Sequence, residues 1–390
     1  MLEEISKELG FEVELIEEGE VKLVVPKMSN YLRPDGVYEP AHAPVFYNPK
    51  AKFNRDVAVA FGKALREELG RLEVLEPLAG SGVRSIRYAK EAKADKVLAV
   101  DVDPLAVKLI KINAKVNEVE DKVKALNADA NAVLHNRQLR EGYYDLVDVD
   151  PFGSPMPFAD GAIRSTRRRG LVAFTATDTA PLTGTRPQAA LRKYGAKVLR
   201  TPFSKEIAIR TLIGAVIRVA AVREVALVPE IAFFKDYYVR VELRLDRGAK
   251  RVDQALSNLG YIFYDDKSYE VIVSKGYPLP EEVPKGMKAI GPLWLGPLSG
   301  PLARKVEGKV KQFIDKIIKE DEVGVPFSYK IEKVASILHT NMPSPKLVLM
   351  RLREIGYKAV ITHYDHTAIK TNAPREEVFK VVKELSPSQR

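Results

Sequence analysis

The chain has 390 residues, 46% of them hydrophobic and 29% charged, with a net charge of +10 and no cysteine. That length is more than one hydrophobic core serves and predicts two domains, while the composition excludes a disordered chain. Missing cysteine excludes disulfides, thiolate zinc sites and a cysteine nucleophile, and no apolar run is long enough to span a bilayer.

In chain order, 11–16 and 21–25 read as short strands, followed by a loop rich in Pro, Tyr and Asn. From about residue 70, apolar runs alternate with amphipathic ones. Strands are expected at 72–76, 96–100, 123–126, 145–149 and 170–175, with helices from near Arg84, over 104–116 and from near Asp129. Such alternation predicts a parallel sheet covered by helices on both faces. A helix over 205–223 leads into strands 225–234 and 237–245, whose short connection predicts an antiparallel hairpin. A Rossmann-like α/β sheet closed by a hairpin is the arrangement of class I S-adenosylmethionine-dependent methyltransferases. Asp246-Arg247-Gly248 marks an expected boundary, giving an N-terminal domain at 1–246 and a C-terminal domain at 247–390. The second part reads as a hairpin at 260–274, a Pro/Gly-rich passage at 277–301, and a charged helix to about Glu322. Helices at 331–340 and 345–355, strands at 357–363 and 367–371, and a last helix at 375–385 complete an α+β module.

Chemistry gathers at strand tips, where open α/β sheets bind ligands. Glu76-Pro77-Leu78-Ala79-Gly80-Ser81-Gly82 is a tight turn whose glycines, Gly80 and Gly82, let a ligand approach the backbone; a plain strand-to-helix turn reads the same way. Asp101 follows the second strand and can accept both ribose hydroxyls of a nucleoside, with Asp103 capping the next helix. Asp129 and the Ala130 backbone follow the third and can meet an adenine edge, alongside or instead of capping. The fourth strand ends in Asp148-Val149-Asp150-Pro151-Phe152-Gly153. An exocyclic base amine is a poor nucleophile because its lone pair is delocalised into the ring. A carboxylate beside a carbonyl of fixed direction can accept its hydrogens and turn that lone pair toward a methyl donor, and a flat ring can stack on the base. Asp150, Pro151 and Phe152 supply all three; Asp-Pro is also a common turn opener. Asp148 is assigned no role, and Asp178 is read as a turn residue. His363 and His366 lack metal-like partners, so no metal is expected, and Trp294 is read as packed at a domain interface.

Eight Lys/Arg stand against one acid between Arg192 and Arg223, and Arg164, Arg167, Arg168 and Arg169 form a second knot. This clustering predicts a phosphate-binding surface rather than scattered solvated charges. The acidic start, Met1-Leu2-Glu3-Glu4, lacks the apolar stretch of a signal peptide. A cytoplasmic monomer with no membrane partner is expected.

Several stretches together resemble the tRNA guanine-N2 dimethyltransferases that modify guanosine 26. They are Val45-Phe46-Tyr47-Asn48-Pro49, Phe53-Asn54-Arg55-Asp56, Gly80-Ser81-Gly82-Val83-Arg84-Ser85-Ile86-Arg87-Tyr88, Asp148 through Pro155, Thr177-Asp178, Lys193-Tyr194-Gly195-Ala196 and Gly291-Pro292-Leu293-Trp294. The resemblance runs over nearly the whole chain, and the missing cysteines place it with the archaeal branch. It implies two methyl transfers from S-adenosylmethionine to guanine N2 of tRNA. Arg55, Arg84, Asp101, Asp129 and Ala130 carry over as cofactor contacts, Asp150 as the catalytic carboxylate, and Phe46 and Phe152 as residues that hold the base. Two rivals stay open on the residues alone. One is another exocyclic-amine methyltransferase, acting on ribosomal RNA guanine-N2 or on adenine-N6. The other is a non-catalytic RNA-binding protein with a decayed cofactor fold.

Overall fold

The computed structural model describes residues 1–276 and 282–386. Packing divides the chain into two compact units. One is Met1–Pro151, Pro157–Phe174 and Lys305–Val310; the other is Phe152–Met156, Thr175–Arg304 and Lys311–Arg390.

In the first unit, Val13–Glu18 and Val21–Pro26 form an antiparallel hairpin. It is followed by an 18-residue helix, Lys52–Leu69, which the sequence reading leaves unassigned. Then come strands β1 (Glu73–Glu76), β2 (Lys96–Asp101), β3 (Val123–Asn127), β4 (Tyr144–Val149) and β5 (Thr166–Ala176). β1 pairs in parallel with β2 and β4, β2 with β3, and β4 with β5. Val97 through Val100 are fully buried, the continuous apolar run expected of a strand covered on both faces. Helix Pro104–Val116 starts where expected because Asp103 Oδ1 accepts the Leu105 N–H at 2.9 Å and Pro104 fits a first turn.

β5 begins four residues earlier than expected, at Thr166, and Arg169 within it has a φ of +68°. A bulge separates the pairs Tyr144–Thr166 and Leu146–Leu171. Arg167 turns back there onto Asp145 (2.9 Å) and Glu73 (2.7 Å). That member of the second basic knot is therefore committed to neighbouring strands rather than to a phosphate surface.

β6 (Val225–Lys235) and β7 (Tyr238–Arg247) form the expected antiparallel hairpin. The strand order of the sheet is β3-β2-β1-β4-β5-β7-β6. Helix Ala249–Leu256 follows Gly248 directly. The Pro/Gly-rich passage, whose residues 277–281 lie outside the described ones, contains an unforeseen strand, Lys288–Trp294, at the edge of a three-stranded sheet. An edge tolerates Pro292, which has no N–H to give a ladder. The α+β reading of the tail holds: helices Ile331–Ile337, Pro345–Glu354 and Arg375–Leu385 pack with strands Ala359–Ile361 and Ala368–Thr371. Trp294 is 2% exposed, donates from Nε1 to the Pro297 carbonyl at 2.8 Å, and has its backbone against Gly214. A base-stacking role for it is excluded by burial.

Charge on helix Ser204–Ala221 is the other departure. Arg210 is buried against Glu206, and Arg218 donates to the carbonyls of Gly195 and Tyr194. A count along the sequence treats both as surface cations. The helix is buried on nearly every side, so its cations are held by internal acceptors.

Candidate active site

The loop after β1 is held by its own backbone. Gly80 and Gly82 have φ of +53° and +75°, which disfavours any side chain. A Cβ on Gly80 would stand 3.1 Å from the Phe46 carbonyl oxygen, and one on Gly82 would stand 2.8 Å from Ile110. The Ser81 N–H donates to that Phe46 carbonyl at 3.2 Å, so the structure brings half-buried Phe46 to the glycine loop. The Ser81 hydroxyl is buried and has no hydrogen-bond partner among the described residues.

Asp101, at the tip of β2, accepts the Gly80 N–H on Oδ2 (2.8 Å) and the Asp103 N–H on Oδ1 (2.9 Å). Each oxygen keeps a lone pair for a further donor. Val102, between the two acids, is 70% exposed, a large apolar side chain beside a polar tip. Asp129 caps helix Ala130–His135 through the Ala132 N–H at 2.8 Å and is exposed, whereas Ala130 is buried.

Around Asp150 the structure assembles a cluster of acids on one guanidinium. Arg84 is buried on helix Val83–Lys90. Its Nη2 pairs with Asp150 Oδ2. Its Nη1 donates to Asp148 Oδ2 (2.9 Å) and Asn54 Oδ1 (3.1 Å), and its Nε faces Glu76 Oε1 at 3.5 Å. Tyr88, one helical turn on, donates to the same Asp148 oxygen at 2.7 Å. Burial pushes the Glu76 carboxyl up to about 8, with the Asp148 and Asp150 charges adding to the rise against the pull of Arg84 and the Ser85 hydroxyl. Asp148 and Glu76 are fully enclosed, whereas the Asp150 side chain is 24% exposed. The sequence reading gives Asp148, Asn54 and Tyr88 no role of their own. The available signal is a carboxylate inside an apolar strand, which requires a buried counter-charge.

Arg55, on helix Lys52–Leu69, lies elsewhere in the network. Its Nε and Nη2 grip Glu18 at 2.7 and 2.5 Å, it donates to the Asn48 carbonyl, and it stacks over Tyr47. Burial opposes ionisation of Glu18, but Arg55, Arg87 and the Tyr47 hydroxyl outweigh it and hold the carboxyl below its usual range. In the second unit Phe152 is 72% exposed. Gly153 and Thr177 exchange hydrogen bonds at 2.8 and 3.0 Å. Asp178 accepts from the Tyr194 hydroxyl (2.5 Å) and Lys193 (2.9 Å), so Thr177-Asp178 and Lys193-Tyr194, distant in sequence, share one corner.

A parallel sheet in this order, closed by a hairpin, with a glycine loop after β1 and acids at the tips of β2, β3 and β4, defines a class I S-adenosylmethionine-dependent methyltransferase. The family model for N2,N2-dimethylguanosine tRNA methyltransferase matches residues 19–383, and the chain belongs to that family. Among its relatives, the tRNA (guanine(26)-N(2))-dimethyltransferase of Pyrococcus horikoshii is 35% identical, over 96% of this chain and 99% of that one. The enzymes of the same name from Methanopyrus kandleri and Thermococcus kodakarensis are each 37% identical over 96% of this chain, covering 98% and 100% of their own length. The solved structure of Trm1 from Pyrococcus horikoshii with S-adenosyl-L-methionine superposes with a TM-score of 0.80 at 32% identity, covering 95% of this chain and 99% of that one.

Proposed function

We propose that the chain dimethylates N2 of guanosine 26 in tRNA. The observation that carries this reading is the Asp150 carboxylate, with Oδ2 clamped by Arg84 and Oδ1 without a protein donor among the described residues, at a strand tip beside a nucleoside-type loop. The residues present fit S-adenosylmethionine. The glycine loop leaves no room for side chains, Ser81 Oγ is buried without a partner among the described residues, and Asp101 has lone pairs to spare. When bound, that group supplies an electrophilic methyl and takes back on sulfur the electron pair of the broken C–S bond. Asp101 would hold the ribose hydroxyls, Val102 would cover a face of the adenine, and Asp129 with the Ala130 N–H would meet its edge. Arg55 and Arg84 are proposed toward the methionine carboxylate as nearby positive charge, since their nitrogens already hold Glu18 and the Asn48 carbonyl, and Asp148 and Asp150.

Guanosine 26 is stacked in the tRNA core and must be extruded to react. Phe46 and Phe152 are proposed to hold the flat base. Asp150 and the Pro151 carbonyl accept the hydrogens of N2, aim its lone pair, and Asp150 takes the proton N2 sheds as it gains the methyl. The remaining N–H repeats the cycle. All these residues lie on one chain, so a monomer suffices. No helix among the described residues is long and apolar enough to cross a membrane, and the cytoplasm, where tRNA is, is proposed as the compartment.

Incubation with unmodified tRNA transcript and labelled methyl donor, then a nucleoside digest, is expected to yield N2,N2-dimethylguanosine, and none from a transcript with adenosine at position 26. Equal labelling of that transcript, or methyladenine in the digest, would point to the rival amino-group methyltransferases. No label at all, without thermal stabilisation by S-adenosylmethionine, would point to an RNA-binding protein.

Residues 1–246 are proposed as the methyltransferase part and 247–390 as the part that orients tRNA. Within the second unit an open groove of about 700 Å³ is lined by Arg200, Lys288, Lys330 and Lys333 against Asp266 and Glu332. Lys330 and Lys333 already face Glu332 and Asp266 (3.5 and 3.2 Å), so Arg200 and Lys288 are the cations to offer phosphates. The double variant Arg200→Glu, Lys288→Glu is expected to raise the tRNA KM about tenfold and to flatten its salt dependence by about two contacts. Its affinity for S-adenosylmethionine, read by calorimetry, should be unchanged.

A further inference from the structure

We propose that Asp148 is a positioning residue for methyl transfer: it anchors one arm of Arg84 so that the other arm holds Asp150 with its free oxygen toward the substrate amine. The inference rests on the methyltransferase reading above and adds a residue to it.

Asp148 is fully buried, so it cannot touch RNA. Asp148 and Asp150 are alternate residues at the carboxyl end of β4, so their side chains start from the same face of the sheet. Arg84 bridges them, Nη1 on Asp148 and Nη2 on Asp150. A guanidinium is planar and rigid, so fixing one arm fixes the direction of the other. Asn54, from helix Lys52–Leu69, and Tyr88, from Arg84's own helix, lock this arrangement: Asn54 accepts from the same Nη1, and the Tyr88 hydroxyl donates to the same Asp148 oxygen. Glu76 closes the third side of the guanidinium. Its carboxyl, pushed up to about 8 by burial, is largely uncharged near neutrality and leaves the Arg84 charge to the two aspartates. Without the Asp148 charge, Nη1 is left with the uncharged Asn54 oxygen, the guanidinium is drawn toward Asp150, and the aim on N2 is lost. Misplacement of a reacting group by about 1 Å costs on the order of a hundredfold in rate.

The test is Asp148→Asn, which keeps the shape and can still accept from Tyr88 but removes the charge. It is expected to lower kcat by about 10- to 100-fold, with the S-adenosylmethionine Kd and the tRNA KM within about threefold of wild type. In an Asp150→Ala background the same substitution should cost less than about twofold, because it acts through Asp150. Additive losses in the double variant would overturn the proposal, as would an unchanged kcat. So would a loss of cofactor affinity in step with kcat, which would mean that Asp148 supports the cofactor site instead. Should Asp148→Asn fail to fold by thermal melting, Tyr88→Phe, which removes a single donor, takes its place, and the same split between kcat and binding is required of it. All values are ratios to wild type on the acceptor that wild type methylates. Failure of the tRNA assignment would show in wild type alone, and leaves this comparison intact.

Discussion

Asp150→Ala is expected to cut methyl transfer to tRNA about a thousandfold, the size of losing both an orienting hydrogen bond and a proton acceptor, while the chain still folds and binds S-adenosylmethionine. The Asp150 side chain is partly exposed, and Arg84 keeps Asp148, Asn54 and Glu76 when it is removed. The variant therefore leaves no cation without an acid, and the large stability loss of a broken buried pair should not follow. What disappears is the acceptor at the tip of β4. The N2 lone pair then stays conjugated with the ring, and its proton has only water to go to. Asp150→Asn keeps one acceptor oxygen but no negative charge, so it should fall between wild type and alanine. Single-turnover rates at saturating tRNA, with cofactor binding followed by calorimetry, separate the two effects. Near-normal turnover by the alanine variant would remove Asp150 from the chemistry. A parallel collapse of cofactor affinity would instead make it a binding residue.

The strand tips were legible because each ends an apolar run in an acid or a glycine, and local pattern alone reports that. The start of helix Pro104–Val116 was legible to the residue because Asp103-Pro104 is a start signal that depends on no distant partner. What stayed hidden depends on partners far away in sequence. Asp148 looks like an idle acid until Arg84, 64 residues earlier, is seen to meet it. Arg55 was assigned to the cofactor by resemblance, and the structure shows its guanidinium on Glu18, 37 residues back in the N-terminal hairpin, while its place in the cofactor site stays a proposal. The basic clusters mixed two kinds of cation. Arg167 and Arg210 serve buried or half-buried acids, whereas Arg192, Lys197 and Arg200 are exposed. Strand Lys288–Trp294 was masked by its own Gly291-Pro292, residues that local rules read as loop and that an edge position permits.

Glu206→Gln is expected to destabilise the second unit by about 3–5 kcal/mol, the cost of breaking a buried ion pair from one side. Glu206 is fully buried on helix Ser204–Ala221. It accepts from Arg210 (2.8 and 3.0 Å), Lys370 (2.8 Å), the Tyr364 hydroxyl (2.6 Å) and the Phe327 N–H (3.0 Å). Its removal as a charge strands two buried cations, since the nearest other acid to Lys370 is Glu320 at 3.9 Å. Burial works against the ionised carboxyl, but the Lys370 and Arg210 charges win and hold it far below the usual carboxylate range. A depressed folded value gives stability that is complete above the unfolded value, about pH 4.3, and is lost as pH falls below it. Urea unfolding should therefore show a wide gap between wild type and variant at pH 7 that narrows steadily below about pH 4. A gap under about 1 kcal/mol, the worth of a surface pair, or one that ignores pH, would mean that the network is not holding charge. The same contacts bear on dissection of the chain. Lys370 and Tyr364 come from the last 30 residues of the described structure, so a fragment ending at residue 246 keeps Glu206 and Arg210 but loses the ammonium and the hydroxyl that complete them. Such a fragment should unfold more readily than the intact chain even if every strand of its sheet is present.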